Sequence, residues 1–340
     1  MKHSHQWRFM PILFLIFVVG FLVFANIQKP RLLVLHSYDK EYAWSRDVSK
    51  GIDRVLKEYP HYSVQWHYMD TKNHTGKRFM RAASKAAIDL INRWKPNVII
   101  AIDDNAQKYV LKKFKNNPEI KIVFSGMNAA PKNYGYDKAS NVTGILERIP
   151  LSSVKESILN ILPVNARRIA HITDASNTAA FVNKEVRNYN WGPFNFTVKE
   201  QASTFDEWKQ AVKEANLKAD LLLFTNYHTV RRSKTDQTKV PAKELIAWTM
   251  KNTTLPNIGC WGFFVEDGGM LSIGVSPFEQ GEVAAKMAVD MIEKDYSPGD
   301  IPIQSTKQFI IYAREASLKN ANLKLPHVYE TFARATHNFY

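Results

Sequence analysis

The run Asn97, Val98, Ile99, Ile100, Ala101, Ile102 constrains the fold of this 340-residue chain more than any other feature. Its five successive apolar residues leave no position to face water, which suits a parallel strand covered on both faces. Around it, short apolar stretches alternate with longer ones of helical period. Strands are predicted at 31–35, 63–69, 97–102 and 120–124, with helices between them at 48–58, 77–94 and 106–116. The pattern then restarts, with helices at 151–162, 179–189, 204–216 and 241–252 and strands at 168–173, 194–198, 221–224 and 256–259. A strand at 271–275, a helix at 278–293, a strand at 304–311 and a helix at 314–321 follow. In the helix at 278–293, Val283, Ala284, Met287, Ala288, Met291 and Ile292 fall at helical spacing. The expected class is α/β, in two units with parallel sheets and right-handed crossovers.

Ahead of the first strand, residues 9–27 carry no charge, and a helix of that length rises about 28 Å, enough to cross a hydrocarbon core. Lys2 and Arg8 precede it, as in the positive region of an export signal, and Val23 and Ala25 suit cleavage before Asn26. A cleaved signal peptide and an uncleaved anchor are both open, and the remainder is expected to be exported. The formal charge is +14, but the basic residues are interspersed with acids, and the densest clusters are short: Lys112, Lys113, Lys115 and Arg231, Arg232, Lys234. That spread argues against nucleic acid and for anionic surroundings such as a membrane surface. The single cysteine, Cys260, excludes an internal disulfide and a cysteine-based zinc cage.

In open parallel sheets ligands sit beyond the carboxyl ends of the strands. Those ends carry Ser37, Tyr38 and Trp44; Asp103, Asp104 and Asn105; Ser125 and Asn128; Asp174, Ser176 and Asn177; Asn226 and Tyr227; and Trp261. We take these as candidate ligand-binding residues. Asp103 or Asp104 would attract an amine, Ser125 and Asn128 would hydrogen-bond polar groups, and Tyr38, Trp44 or Trp261 would wall the ligand. Asp103, Asp104, Asn105, Ser176 and Asn177 also suit helix N-caps, and Tyr38, Trp44 and Trp261 suit a core. Catalytic patterns are missing: the sequence has no nucleophile elbow, P-loop, H-E-x-x-H or G-x-G-x-x-G. Cys260 beside Trp261 reads as a packed residue rather than a nucleophile, and His67, Asp70 and His74 read as surface rather than a metal site. No enzyme activity, cofactor or metal is expected.

Two segments carry a resemblance. Phe124, Ser125, Gly126, Met127, Asn128 followed by Asn141, Val142, Thr143, Gly144 is one; Gly269 to Val275 followed by Gln280, Gly281, Glu282, Val283, Ala284, Ala285 is the other. With Ile301, Pro302, Ile303, then Ala316, Ser317, Leu318, then Leu325 and Pro326, they resemble the substrate-binding proteins of ABC transporters, tryptophan/tyrosine type. Leu35, His36, Ser37, Tyr38 and Trp44 are also similar to sensory relatives fused to signalling kinases. The resemblance implies a type I periplasmic binding fold, with two Rossmann-like lobes joined by a hinge of three crossovers. Residues 1–29 would be the signal peptide or anchor, 30–147 plus about 276–298 the first lobe, and 148–275 plus about 299–340 the second. It implies capture of a small, amine or amino-acid-like molecule for an ABC permease. The alternative is a membrane-anchored sensing module for a kinase or cyclase partner. Many members carry Asp-Pro-Val after the first-lobe glycine where this chain has Met127, Asn128, Ala129, so the resemblance does not fix the ligand.

Overall fold

The computed structural model describes residues 6–27 and 29–340. Helix α1 (Gln6–Ile27) contains Pro11 and precedes the lobes. Among the described residues, no helix is long and apolar enough to cross a membrane. Lys2 of the proposed export signal lies outside the described residues, as do the side chains of Arg8, Val23, Ala25 and Asn26.

Two six-stranded sheets follow, and their order explains where a ligand could sit. The first lobe runs β1 (Arg31–His36), α2 (Ala43–Leu56), β2 (Ser63–Tyr68), α3 (Lys77–Trp94), β3 (Val98–Ile102), α4 (Asp103–Tyr109), β4 (Lys121–Met127) and β5 (Val142–Leu146). The second runs α5 (Leu151–Ile161), β6 (Arg168–Asp174), α6 (Asn177–Asn188), β7 (Asn195–Ala202), α7 (Phe205–Lys218), β8 (Leu221–Phe224), α8 (Ala242–Lys251), β9 (Asn257–Gly259), α9 (Phe263–Glu266) and β10 (Leu271–Val275). The chain then adds α10 (Pro277–Glu293), β11 (Gln304–Ser305), β12 (Phe309–Ala313), α11 (Glu315–Asn320) and α12 (His327–Ala335). The first sheet has the order β11-β5-β4-β3-β1-β2 and is parallel throughout. The second has the order β12-β10-β9-β8-β6-β7, parallel except for β12 against β10. All five residues of β3 are buried, as its unbroken apolar run predicts.

The strand order reverses between β1 and β3 in the first sheet and between β6 and β8 in the second. Such switch points open a crevice at the carboxyl ends of the strands, because the flanking loops diverge to opposite faces. The expected α/β architecture of two lobes is thus realised.

Helix α10 leaves the second sheet and packs back on α2 of the first lobe. Two glycines permit the close approach: a Cβ on Gly51 would lie 2.4 Å from the Phe278 carbonyl, and one on Gly281 would lie 2.1 Å from that of Val48.

The stretch read as one strand over 304–311 is two. Gln304–Ser305 pairs with β5, Phe309–Ala313 pairs with β10, and residues 306–308 carry the chain between sheets. Carboxylate Glu279 holds this passage by accepting the Lys307 amide at 3.0 Å and the Gln308 amide at 3.0 Å. Thr306 receives the Arg148 amide and the Gln280 side-chain amide on its hydroxyl, so all three interlobe passages meet there.

Other boundaries shift for local reasons. Strand β5 and helix α12 were not predicted, and α2 begins at Ala43, which places Trp44 on a helix. Helix α4 starts at Asp103 with Ile102 as its capping position and no side-chain cap, so Asp103, Asp104 and Asn105 do not act as N-caps. Ser176 does cap, accepting the Ala179 amide at 3.2 Å.

Candidate ligand-binding site

The two switch points face each other across a cleft with two compartments. The outer chamber holds about 540 Å³ and is lined from the first lobe by Tyr38, Thr71, Lys72, Thr75 and Asn105, and from the second by Ser176, Asn177, Thr178, Thr229, Arg231 and Lys234 among others. The inner pocket is nearly shut at about 20 Å³ and is walled by Tyr38, Tyr42, Trp44, Lys72, Asp103, Asn128, Glu147, Thr178, Asn226, Trp261 and Phe263.

Of the residues singled out in the sequence, Tyr38, Asn105, Ser176 and Asn177 line the chamber. Tyr38, Trp44, Asp103, Asn128, Asn226 and Trp261 line the inner pocket. The other five hold the scaffold and line neither compartment. The Ser37 hydroxyl donates to the Ile102 carbonyl and accepts the Ala106 amide. Asp104 accepts the amides of Asn128 and Ala129 and the Tyr134 hydroxyl. Ser125 donates to the Gln280 carbonyl, Asp174 accepts the amides of Ser176 and Thr229, and Tyr227 donates to Asp267.

Several lining groups gave no signal in the sequence. Glu147 directly follows β5, a strand the sequence pattern does not predict. Lys72 lies just past β2, where the neighbouring His67, Asp70 and His74 read as surface. His74 bonds Asp70 at 2.9 Å, and no group of three or more His, Cys, Asp and Glu is gathered for a metal among the described residues. Arg231 and Lys234 read only as part of a general basic bias, whereas the fold turns both into the chamber wall.

Buried acceptors dominate the inner end. Asp103 sits at φ +66°, a left-handed conformation that Asp tolerates better than most residues and that costs on the order of 1–3 kcal/mol. Its Oδ1 accepts the Trp44 indole at 3.0 Å, while Oδ2 has no partner. The buried Oδ1 of Asn226 is likewise unpartnered. Glu147 accepts from the Trp261 indole at 2.8 Å and from the Asn128 side-chain amide at 2.9 Å. Burial nonetheless pushes its carboxyl up to about 8, the hydrogen bonds offsetting only part of the desolvation. Asp103 is raised too, first by burial and then by the charge of Glu147. Tyr42, His228 and Phe263 form an aromatic cluster at the pocket rim, and burial lowers His228, so its ring is neutral at physiological pH.

Several bonds cross the cleft. The Tyr38 hydroxyl meets that of Thr178 at 3.2 Å, Arg231 donates to Thr75 at 2.6 Å, and Lys239 donates to the Lys72 carbonyl at 2.8 Å. With the Trp261–Glu147 bond they tie the lobes together over the pocket. Burial pushes the Cys260 thiol up to about 12, which opposes the thiolate that a nucleophile needs.

Residues 45–331 match the family described as ABC transporter substrate binding protein. The chain belongs to that family. Solved structures agree in fold. A conserved domain protein from Vibrio cholerae O1 biovar El Tor superposes with a TM-score of 0.68 at 15% identity, covering 90% of this chain and 98% of its own. A substrate-binding protein with adhesive properties from Clostridium difficile, in its ligand-free, open form, gives 0.64 at 17% identity over 88% and 96%. An ABC domain from Streptococcus pneumoniae in complex with L-Trp gives 0.64 at 15% identity over 90% and 98%. No curated protein sequence matches the chain. The family resemblance and the type I periplasmic binding fold read from the sequence are therefore borne out. The cleft between the lobes is a polar chamber leading to a small, acceptor-rich inner pocket.

Proposed function

We propose that the protein is an extracytoplasmic solute-binding protein that captures a small polar organic molecule between its lobes and presents it, chemically unaltered, to an ABC permease. The carrying observation is the pair of buried, unpartnered acceptors, Asp103 Oδ2 and Asn226 Oδ1, contributed by opposite lobes to one pocket beneath a chamber of about 540 Å³. A desolvated acceptor without a donor is costly, so a guest that supplies donors to both stabilises the shut cleft over an open one. We take the first lobe as residues 30–147 with 276–305, following the strand pairing of β11, and the second as 148–275 with 306–340. Export, to the periplasm or the outer face of the inner membrane, is supported by the apolar sequence of α1 and by family membership.

Family membership supports this reading, as does the small-molecule cargo of relatives of the same fold, L-Trp in the Streptococcus pneumoniae protein and D-fucose in one from Agrobacterium vitis. Native mass spectrometry of protein exported by its source, followed by a thermal-shift screen over amino acids, amines and nucleosides, tests it. A ligand at about 100 times its Kd adds about 2.7 kcal/mol. No retained small molecule and no stabilising compound, or chemical turnover of a bound one, overturns the proposal.

A further inference from the structure

Resting on the solute-binding reading, we propose that the outer chamber is an anion subsite, so that the captured solute carries a carboxylate or phosphate group held by Lys72 and the amino-terminal turn of α6.

Lys72 is 6% exposed and lines both compartments. Its ammonium lies 4.6 Å from the centre of the Tyr38 ring and 5.2 Å from that of Tyr42. Among the described residues no hydrogen bond or direct salt bridge reaches it, and Asp103 and Glu147 act on it only across the inner pocket that all three line. An ammonium withdrawn from water against two aromatic faces is only partly compensated, and an anion in the chamber would complete its pairing.

Helix α6, 12 residues long, ends on the same chamber. Asn177 and Thr178 line the chamber at the first turn of the helix, which itself carries no acidic residue; Asp174, just ahead of it, has its two oxygens engaged by the Ser176 and Thr229 amides. The lining carboxylate, Glu207, is spent on a capping box, accepting the amides of Ser203 and Thr204. Arg231 and Lys234 add positive charge to the second-lobe wall, the side that carries α6.

The approach has the same sign. A neighbouring groove of about 550 Å³ shares Thr75, Met80 and Tyr109 with the chamber, and its lining includes five Lys and Arg residues and no carboxylate. Such a patch raises the local concentration of anions at the mouth. Beneath it, the inner pocket offers acceptors in a space for one water-sized group. The two compartments thus orient a dipolar solute, donor end inward and anionic end outward.

Three probes read this in the full chain by calorimetry. β-Alanine pairs an ammonium with a carboxylate, phosphoethanolamine pairs one with a phosphate, and ethanolamine lacks the anion. At least one of the first two should bind ten-fold or more tightly than ethanolamine. Which one does so separates a carboxylate source from a phosphoryl source. Lys72→Gln should erase that preference and Lys72→Arg should keep it. Should Lys72→Gln fail to fold, Lys234→Gln must reduce the preference instead. Equal binding of ethanolamine, a preference that survives these substitutions, or no saturable binding by any probe to tens of millimolar overturns the assignment. A neutral or cationic molecule retained from the source and bound equally by Lys72→Gln would leave solute binding standing while removing the anion subsite.

Discussion

The indole nitrogen of Trp261, beyond β9 in the second sheet, donates a 2.8 Å hydrogen bond to Oε1 of Glu147, at the end of β5 in the first. Both residues are buried, and both border the inner pocket. One bond therefore links the shut cleft directly to the guest's surroundings. Trp261→Phe keeps an aromatic wall and removes the donor, leaving the Glu147 carboxyl short of a partner only when the lobes are together. Stranding a buried acceptor costs about 1–3 kcal/mol, so ligand affinity should fall roughly 5- to 150-fold. Small-angle scattering should show the variant more expanded in the absence of ligand, with its thermal midpoint little changed. Undiminished affinity would remove the bond from the closing equilibrium.

Glu147 also sets a pH dependence. Its folded-state value of about 8 lies above its ordinary 4.5, because burial outweighs its hydrogen bonds and the nearby Lys72. The folded chain therefore holds a proton that the unfolded chain releases, and this contribution to stability is present at low pH and lost as pH rises towards 8. Asp103 acts in the same direction. The buried rings of His36 and His171, lowered to about 3, act oppositely, but their influence ends near pH 6.5. Between pH 6.5 and 8 the net slope should be downward, by up to about 2 kcal/mol from Glu147. Thermal melts across that window should show the parent losing stability and Glu147→Gln losing markedly less. Parallel curves would contradict the assignment.

Asp104 and Asp103 are adjacent in sequence and opposite in role. From the sequence alone, Asp104→Ala combined with Trp261→Ala is expected to weaken binding at little cost in stability. The geometry reverses the Asp104 half of that expectation. Its carboxylate accepts from the Asn128 amide at 3.0 Å, the Ala129 amide at 3.1 Å and the Tyr134 hydroxyl at 2.8 Å. Removing it strands three buried donors at about 1–3 kcal/mol each. Asp104→Ala should lower the thermal midpoint by at least several degrees while the fraction still folded binds almost normally. Asp103→Asn should do the converse, because it alters a pocket acceptor and Asn tolerates the same left-handed backbone. Denaturation and calorimetry on the two variants would separate the roles, and matching phenotypes would refute the division.

Much of this was legible in one dimension. Apolar runs such as Val98–Ile102 announce parallel strands, and their order places strand ends where a ligand could be met. What escaped was whatever required knowing which loop faces which. Asp103 and Asp104 are interchangeable as sequence; only the left-handed φ of the first directs the pair to different neighbours. Glu147 is hidden because Gly144 interrupts Val142–Leu146 and weakens its strand pattern. That glycine is needed, since a Cβ there would lie 2.1 Å from the Phe124 carbonyl. Lys72 follows an edge strand whose residues are only half-buried, so nothing local marks it as interior. The second lobe covers it, by a contact more than 150 residues distant in sequence.

The passages between lobes offer a test of motion rather than of binding contacts. Glu279 lines neither compartment, yet its two oxygens fix the Lys307 and Gln308 amides while its own amide is capped by Ser276. These bonds tie the start of α10 to the passage from β11 to β12, so rotation of one lobe against the other must pivot beside them. Glu279→Gln keeps one acceptor and gives up the charge-assisted bonds, which are about twice as strong as neutral ones. We expect faster interlobe exchange, seen by single-molecule energy transfer between labels on α3 and α8, and a ligand off-rate raised several-fold. The effect should be larger than that of a substitution such as Lys213→Gln on the outer face of α7. Since Glu279 is remote from the guest, ligand selectivity should be unchanged; altered selectivity would mean that the residue shapes the cleft and not only its hinge.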